Sequence, residues 1–263
     1  MRIATWNVNS IRSRIDRVEA WLARSDVDVL AIQETKARAD QFPALPLEAL
    51  GYEVAHHGFN QWNGVAILSR VGITDIATGF DGMPSWGSPP IAEARALGAT
   101  CGGIRIWSVY APNGRHLEDP HMGYKLEWLG ALRDDAAGWL TADPGAQVAL
   151  MGDWNIAPHD EDVWSMDFYL DKSHVSPSER EAFQAIVDAG YADVVRPHAP
   201  GPGVYTYWDY QQLRFPKKQG MRIDFVLASP ALAARVEGAA IDREERKGQG
   251  ASDHAPVVVE LAD

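Results

Sequence analysis

The stretch V148-A-L-M-G-D-W-N-I-A157 is an apolar run, Val148 to Met151, that breaks into Gly152, Asp153, Trp154 and Asn155 before turning apolar again. A short aliphatic run closed by turn residues reads as a buried β-strand, and this one delivers a carboxylate and an amide to its end. R2-I-A-T-W-N-V-N9 has the same form, a strand that closes on Trp-Asn and an aliphatic residue. Two similar halves of this kind give two packed β-sheets covered by helices, a layered α/β sandwich.

Outward from these strands, further β-segments are expected at about 27–33, 52–56, 64–69, 94–100, 104–110, 204–207, 223–228 and 255–261, with the quoted ones at 2–6 and 147–151. Three helices lie between them. Ile11 to Arg24 carries Ile11, Ile15, Val18 and Leu22 at helical spacing, and Tyr124 to Leu140 carries Leu126, Leu129, Leu132 and Trp139. The third, Pro177 to Ala189, opens with Ser176, Pro177 and Glu179, a capping box with proline in the first turn. No linker-like segment divides the chain, so residues 1–263 are expected to form a single domain. The stretches 111–123 and 157–175 are long irregular loops, which in a compact domain are usually functional or mobile.

Composition narrows the class. A chain of 263 residues with 46% hydrophobic content can bury a sizeable core, and its single cysteine, Cys101, excludes an internal disulfide. The first ten residues lack the apolar run of a signal peptide, and the longest aliphatic runs are strand-sized. Secretion and membrane spanning are therefore not expected, and a cytoplasmic location is. The net charge of −12, from 36 acidic and 24 basic residues, argues against a broad cationic face for DNA. It leaves room for a local basic groove and for carboxylates around a hard metal ion.

Six motifs place polar groups at strand ends: WNVN with Asn7, QETK with Glu34, YAPN with Tyr110 and Asn113, GDWN with Asp153 and Asn155, RIDF with Asp224, and SDHAP with Asp253 and His254. Each residue has a plainer reading alone. Asp and Asn are common turn formers, Asp224 could partner Arg222 inside the core, His254 could be satisfied by a carbonyl, and Tyr110 could be a packed strand aromatic. Together they amount to a metal, base and phosphate-contact set. Oxygen ligands with one histidine select Mg²⁺ or Mn²⁺ over zinc.

The ordered set WNVN, QETK, GDWN, RIDF and SDHAP resembles the exonuclease III family of DNA repair enzymes, within the endonuclease/exonuclease/phosphatase superfamily, from the first strand to the last. The resemblance implies a four-layer α-β-β-α sandwich of two mixed β-sheets flanked by helices. It implies a Mg²⁺ site, with Mn²⁺ as substitute, from Glu34, Asn7 and Asp253, joined by Asp153 and Asn155. Asp153 resembles the group that orients or deprotonates the attacking water, with Asn155 beside it. His254, held by Asp224, resembles the phosphate contact, and Tyr110 and Asn113 a second phosphate-contacting pair. By the same likeness Tyr207 and Met221 form opposite walls of a pocket for a base-free sugar.

Trp208 belongs to the same aromatic strip, and Arg214, Lys217, Lys218 and Arg222 fall within nine positions where a DNA groove would need them. Arg12, Arg14 and Arg17 follow the first strand. The function expected is a metal-dependent, monomeric DNA repair nuclease that cuts 5′ to abasic sites in double-stranded DNA, with 3′-5′ exonuclease and 3′-phosphatase activity at blocked ends. The rivals are a phosphoesterase for a small phosphate ester or lipid head group, and a non-catalytic DNA-binding module.

Overall fold

The computed structural model describes residues 1–263. Its strands are β1 (Arg2–Asn7), β2 (Val29–Gln33), β3 (Glu53–His57), β4 (Val65–Ser69), β5 (Thr74–Ala77), β6 (Ala96–Cys101), β7 (Ile104–Tyr110), β8 (Val148–Asp153), β9 (Ala192–Asp193), β10 (Asp224–Ala228), β11 (Val236–Ile241) and β12 (Val257–Leu261). The α-helices are α1 (Ile11–Ser25), α2 (Ala44–Ala49), α3 (Pro120–Ala142), α4 (Met166–Tyr169), α5 (Pro177–Asp188) and α6 (Pro230–Ala233). Two six-stranded sheets result, ordered β11-β12-β1-β2-β4-β3 and β5-β6-β7-β8-β10-β9. Both are mixed: β1–β2 and β7–β8 pair in parallel, each joined by a helical crossover, and the remaining neighbours are antiparallel.

The period of two along a strand explains the layers. Ile3, Val29, Ala31, Ala149, Met151 and Val226 face the other sheet and form the seam between them. Their neighbours point outward: Ala4, Trp6 and Leu30 pack with Val18 and Trp21 of α1, while Leu150, Phe225 and Leu227 pack with Trp128 and Phe183 of α3 and α5. This is the expected four-layer sandwich.

Following the seam toward the strand ends, the same inward parity selects Thr5, Gln33 and Ser108, all buried. Thr5 Oγ1 donates to Gln33 Oε1 (3.1 Å), and Gln33 Nε2 donates to Ser108 Oγ (3.0 Å). One step further, parity selects Asn7, Tyr110, Asp153 and Asp224. Register sets three of these side by side, Tyr110 against Asp153 across the parallel pair and Asp224 against Asp153 across the antiparallel one. Gly152 permits this, since a Cβ there would stand 1.9 Å from the Val109 carbonyl oxygen.

Some expectations change. Residues 204–207 do not form a strand; Tyr207 makes only isolated bridges to Met221 and His254. Thr206 Oγ1 accepts from the Ile223 and Asp224 N–H groups (both 3.1 Å), replacing a backbone ladder. The edge strands β5, β9 and β11 were not expected: the first two are short and the third reads VEGAAI, poor in β-formers. Helix α3 begins at Pro120, before the expected Tyr124, because the Asp119 side chain caps it by accepting from the His121 N–H at 2.8 Å.

The shared strand order matches β1 to β7 and β2 to β8. The Trp-Asn echo instead joins β1 to β8, so it is not the mark of the repeat.

Met151→Ala, in the seam, is expected to cost about 2–5 kcal/mol of unfolding free energy, measured by urea denaturation; a loss under about 0.5 kcal/mol would mean that the seam is not close-packed.

Candidate active site

Where the seam ends, Glu34, Asp153 and His254 bring ligand-type atoms within 4.8 Å of one another. Glu34 follows β2 in the left-handed region (φ 53°). Asn7, at the end of β1, joins the carboxylates: its Nδ2 donates to Glu34 Oε1 (2.8 Å) and to Asp153 Oδ2 (2.9 Å). Its Oδ1 accepts from the Asn9 N–H (2.9 Å), which fixes the orientation of the amide. Asn7 was expected to give an oxygen to a metal; its oxygen is turned to the backbone, and it acts as a bridging donor.

Asp224 holds the imidazole of His254, with Nδ1 at 2.9 and 3.1 Å from its two oxygens, and Nε2 points to Asp153 Oδ2 at 3.8 Å. The SDH turn is tied to β1 by the Ser252 hydroxyl, which donates to the Asn7 carbonyl (2.7 Å) and accepts from the His254 N–H (3.2 Å). Trp6 Nε1 donates to the His254 carbonyl (3.1 Å), a structural reason for the tryptophan in WNVN.

Electrostatics separates the roles. Burial lowers the affinity of His254 for a proton, but Asp224 and Asp153 outweigh it and lift its pKa to about 10. The imidazole is therefore held as a charged donor, with its Nδ1 on Asp224. Burial pushes Asp153 up to about 7; Asp224 and Glu34 add to this and His254 opposes it. Burial also pushes Glu34 up, but Lys36 at 2.7 Å and Asn7 hold it below the ordinary carboxylate value. A divalent cation fits this corner, where hard oxygen donors crowd and burial with neighbouring carboxylates raises the pKa of Asp153. Glu34 and Asp153 would hold it, with Asp253 at the rim of the cavity, where its Oδ1 accepts from Asn9 Nδ2 at 3.1 Å.

Asn155 (φ 52°) donates its backbone N–H to Asp153 Oδ1 (2.9 Å) and so fixes that carboxylate. Its side-chain oxygen lies 3.1 Å from Asn113 Nδ2 and 3.2 Å from His174 Nε2. That oxygen is shared between two neighbouring side chains. Tyr110 and Asn113 line the cavity, and burial with nearby Glu34 pushes the Tyr110 hydroxyl well above its ordinary pKa.

The cavity, about 180 Å³, also has Tyr207 and Met221 in its wall. These two exchange backbone hydrogen bonds (both 2.9 Å), so they stand side by side, not on opposite walls as expected. Trp208 is 1% exposed, with its ring against Tyr205 and Phe215, so it offers no surface to a substrate. Arg222 is fully buried, paired with Asp193 and Asp162 and not with Asp224, and it leaves the basic set. Arg214 lines an adjoining cavity, its guanidinium over the Trp164 and Phe168 rings. Lys217 and Lys218 are exposed on the following turn. Arg14 and Arg17 are bonded to protein groups, leaving Arg12 exposed.

Several site residues were not singled out from the sequence. His174 enters the cavity from the 157–175 loop. Behind it, fully buried Lys125 donates to the Asn155 carbonyl (2.7 Å), the Asn113 carbonyl (3.3 Å) and Glu179 Oε1 (2.5 Å). Glu179 Oε1 also accepts from the His174 N–H (2.9 Å), so one ion pair ties three loops together. The available signal was Lys125 itself, a charge in register with Trp128, Leu129 and Leu132 on the apolar stripe of α3.

Comparison with known proteins agrees with this architecture. The endonuclease/exonuclease/phosphatase family model matches residues 4–254. Exodeoxyribonuclease III of Haemophilus influenzae is 30% identical over 99% of this chain and 100% of its own. Among solved structures, a 3′ phosphatase from Neisseria bound to product DNA hairpin superposes with a TM-score of 0.93 at 37% identity, covering 100% of this chain and 99% of the other. An AP endonuclease from Archaeoglobus fulgidus gives 0.92 at 33% identity, with both chains fully covered. With the seam-end carboxylates and the Asp224–His254 pair in place, the chain belongs to the endonuclease/exonuclease/phosphatase family.

Proposed function

We propose that this chain is a Mg²⁺-dependent DNA repair nuclease, with Mn²⁺ as a substitute, that hydrolyses phosphate esters 5′ to abasic sites and at blocked 3′ ends. The observation that carries the reading is the pairing of a proton acceptor, Asp153, with a charged donor, His254, across 3.8 Å at one cavity. Support comes from relatives described as an exodeoxyribonuclease, a 3′ phosphatase and an AP endonuclease. The reading includes a monomer acting in the cytoplasm; no helix is long and apolar enough to cross a membrane.

In-line attack on a phosphodiester builds negative charge on the non-bridging and leaving oxygens. His254, kept charged by Asp224, donates to those oxygens, assisted by the Asn113 amide and the Tyr110 hydroxyl. Asp153, oriented by the Asn155 N–H, takes the proton of the attacking water. A divalent cation held by Glu34 and Asp153 would neutralise phosphate charge and keep Asp153 ionised below pH 7.

A second reading differs in emphasis: hydrolysis at 3′ ends outpaces abasic-site incision. His174 favours it, because its imidazole stands in the wall beside Tyr207 and Met221 where an extruded sugar would have to fit.

One duplex with an internal tetrahydrofuran abasic analogue and one with a 3′-phosphate end test both readings in Mg²⁺ with and without EDTA. Hydrolysis abolished by EDTA is expected for both substrates, and faster release at the 3′ end favours the second reading. No metal-dependent hydrolysis of either would defeat the proposal.

Asp224→Asn removes the principal group raising the His254 pKa. Its kcat is expected to fall about 100-fold or more, and the alkaline limb of its pH–rate profile to move to lower pH, since less base then suffices to discharge the imidazole. A limb that stays in place would separate His254 from that step.

A further inference from the structure

A larger groove, about 650 Å³, lies beside the catalytic cavity, within the size range of ligand sites. Its walls are aromatic. Trp62 is 64% exposed and Phe59 49%, with Ile91 at 48%, a grouping that marks a binding surface more often than bare solvent contact. Trp86 is braced from behind, stacked on Tyr124 at 5.1 Å and edge-on to His121 at 5.1 Å.

The floor of the groove is polar. Glu93 and Arg95 pair at 2.7 Å. The Gly114 N–H donates to His121 Nδ1 (3.1 Å), so a neutral imidazole carries its proton on Nε2 and offers it as a donor. Burial pushes His121 down to about 4, in keeping with the neutral form. The His121 Nε2–H calls for an acceptor, which the edge of a planar heterocycle carries and an apolar peptide side chain does not.

Two continuities indicate what the heterocycle is attached to. Asn113 lines both this groove and the catalytic cavity, and the Arg95 guanidinium lies over the Tyr110 ring at 4.9 Å. Asn60 and Trp62 also border a notch that holds Arg12 and Arg38. Aromatic faces flanked by cations are the arrangement that holds unpaired nucleotides, with bases stacking and phosphates meeting the charges.

We propose that this groove binds an unpaired nucleobase of the strand being hydrolysed, stacked on Trp62 and Phe59, with its backbone toward Arg12 and Arg38 of the notch and toward Arg115, which lines the groove beside Asn113. The proposal rests on the DNA nuclease reading and adds a substrate preference: DNA with unpaired nucleotides next to the scissile ester is used better than blunt duplex.

The test compares two duplexes with the same 3′-phosphate, one blunt and one with unpaired terminal nucleotides. Trp62→Ala alters a largely exposed side chain and is expected to lower kcat/KM on the unpaired substrate, relative to the blunt one, by about tenfold or more. Leu45→Ala, an exposed apolar change on α2, should leave the ratio at the wild-type value. A ratio unchanged in both Trp62→Ala and Phe59→Ala would overturn the proposal. Should wild type hydrolyse neither duplex, the nuclease reading fails separately. Binding of a labelled oligothymidylate, measured by fluorescence anisotropy, then still decides the groove: weaker binding by Trp62→Ala upholds it, and equal binding overturns it.

Discussion

Asp153 and Asp224 face each other across an antiparallel strand pair, each about 1% exposed, and Glu34 approaches from the other sheet. Like charges so placed repel, and burial removes the water that would screen them. The site exists only because positive charge and donors are brought to it. His254 settles on Asp224, Lys36 on Glu34, and the Asn7 amide between Glu34 and Asp153. What remains is Asp153, still raised in pKa, and the oxygen-rich corner next to it. The residual repulsion is the physical basis for a divalent cation, and the same proximity makes His254 a strong donor.

The fold keeps these groups together by geometry available only to paired sheets. Strand parity that buries Ile3, Met151 and Val226 in the seam also aims Asn7, Asp153 and Asp224 into its open end. The transition is graded, with the Thr5–Gln33–Ser108 network between apolar seam and charged mouth. Such a network satisfies polar groups that would otherwise be buried unpaired. Lys125 and Glu179 do the same for the loops, fixing Asn113, Asn155 and His174 from behind.

Much of this was legible in the residues. Apolar runs that end in Asp, Asn, Glu or His marked the strands and the side chains that meet at the end of the seam, because parity and strand termination are local properties. Pairing across long distances was not. Trp208 looked like a partner of Tyr207 in one aromatic strip, yet its ring faces Phe215. Arg222 looked like part of a basic cluster, yet Asp162 and Asp193 claim it inside the core. Met221 was expected opposite Tyr207 and stands next to it, since the segment bridges without becoming a strand. His174 lay in a loop flagged only for its length, and nothing in its neighbours announced a role. The Trp-Asn echo was real as letters, but the two tryptophans serve different ends. Trp6 anchors the His254 turn, whereas Trp154 packs edge-on to Phe183.

The central claim, that the end of the inter-sheet seam is a divalent-cation site, is most directly tested by anomalous scattering from crystals soaked in Mn²⁺. The expected result is a peak within direct coordination distance of both Glu34 and Asp153, with the His254 imidazole outside the coordination shell and on Asp224. A cation found elsewhere, with these carboxylates unliganded, or one bound directly by His254, would contradict it.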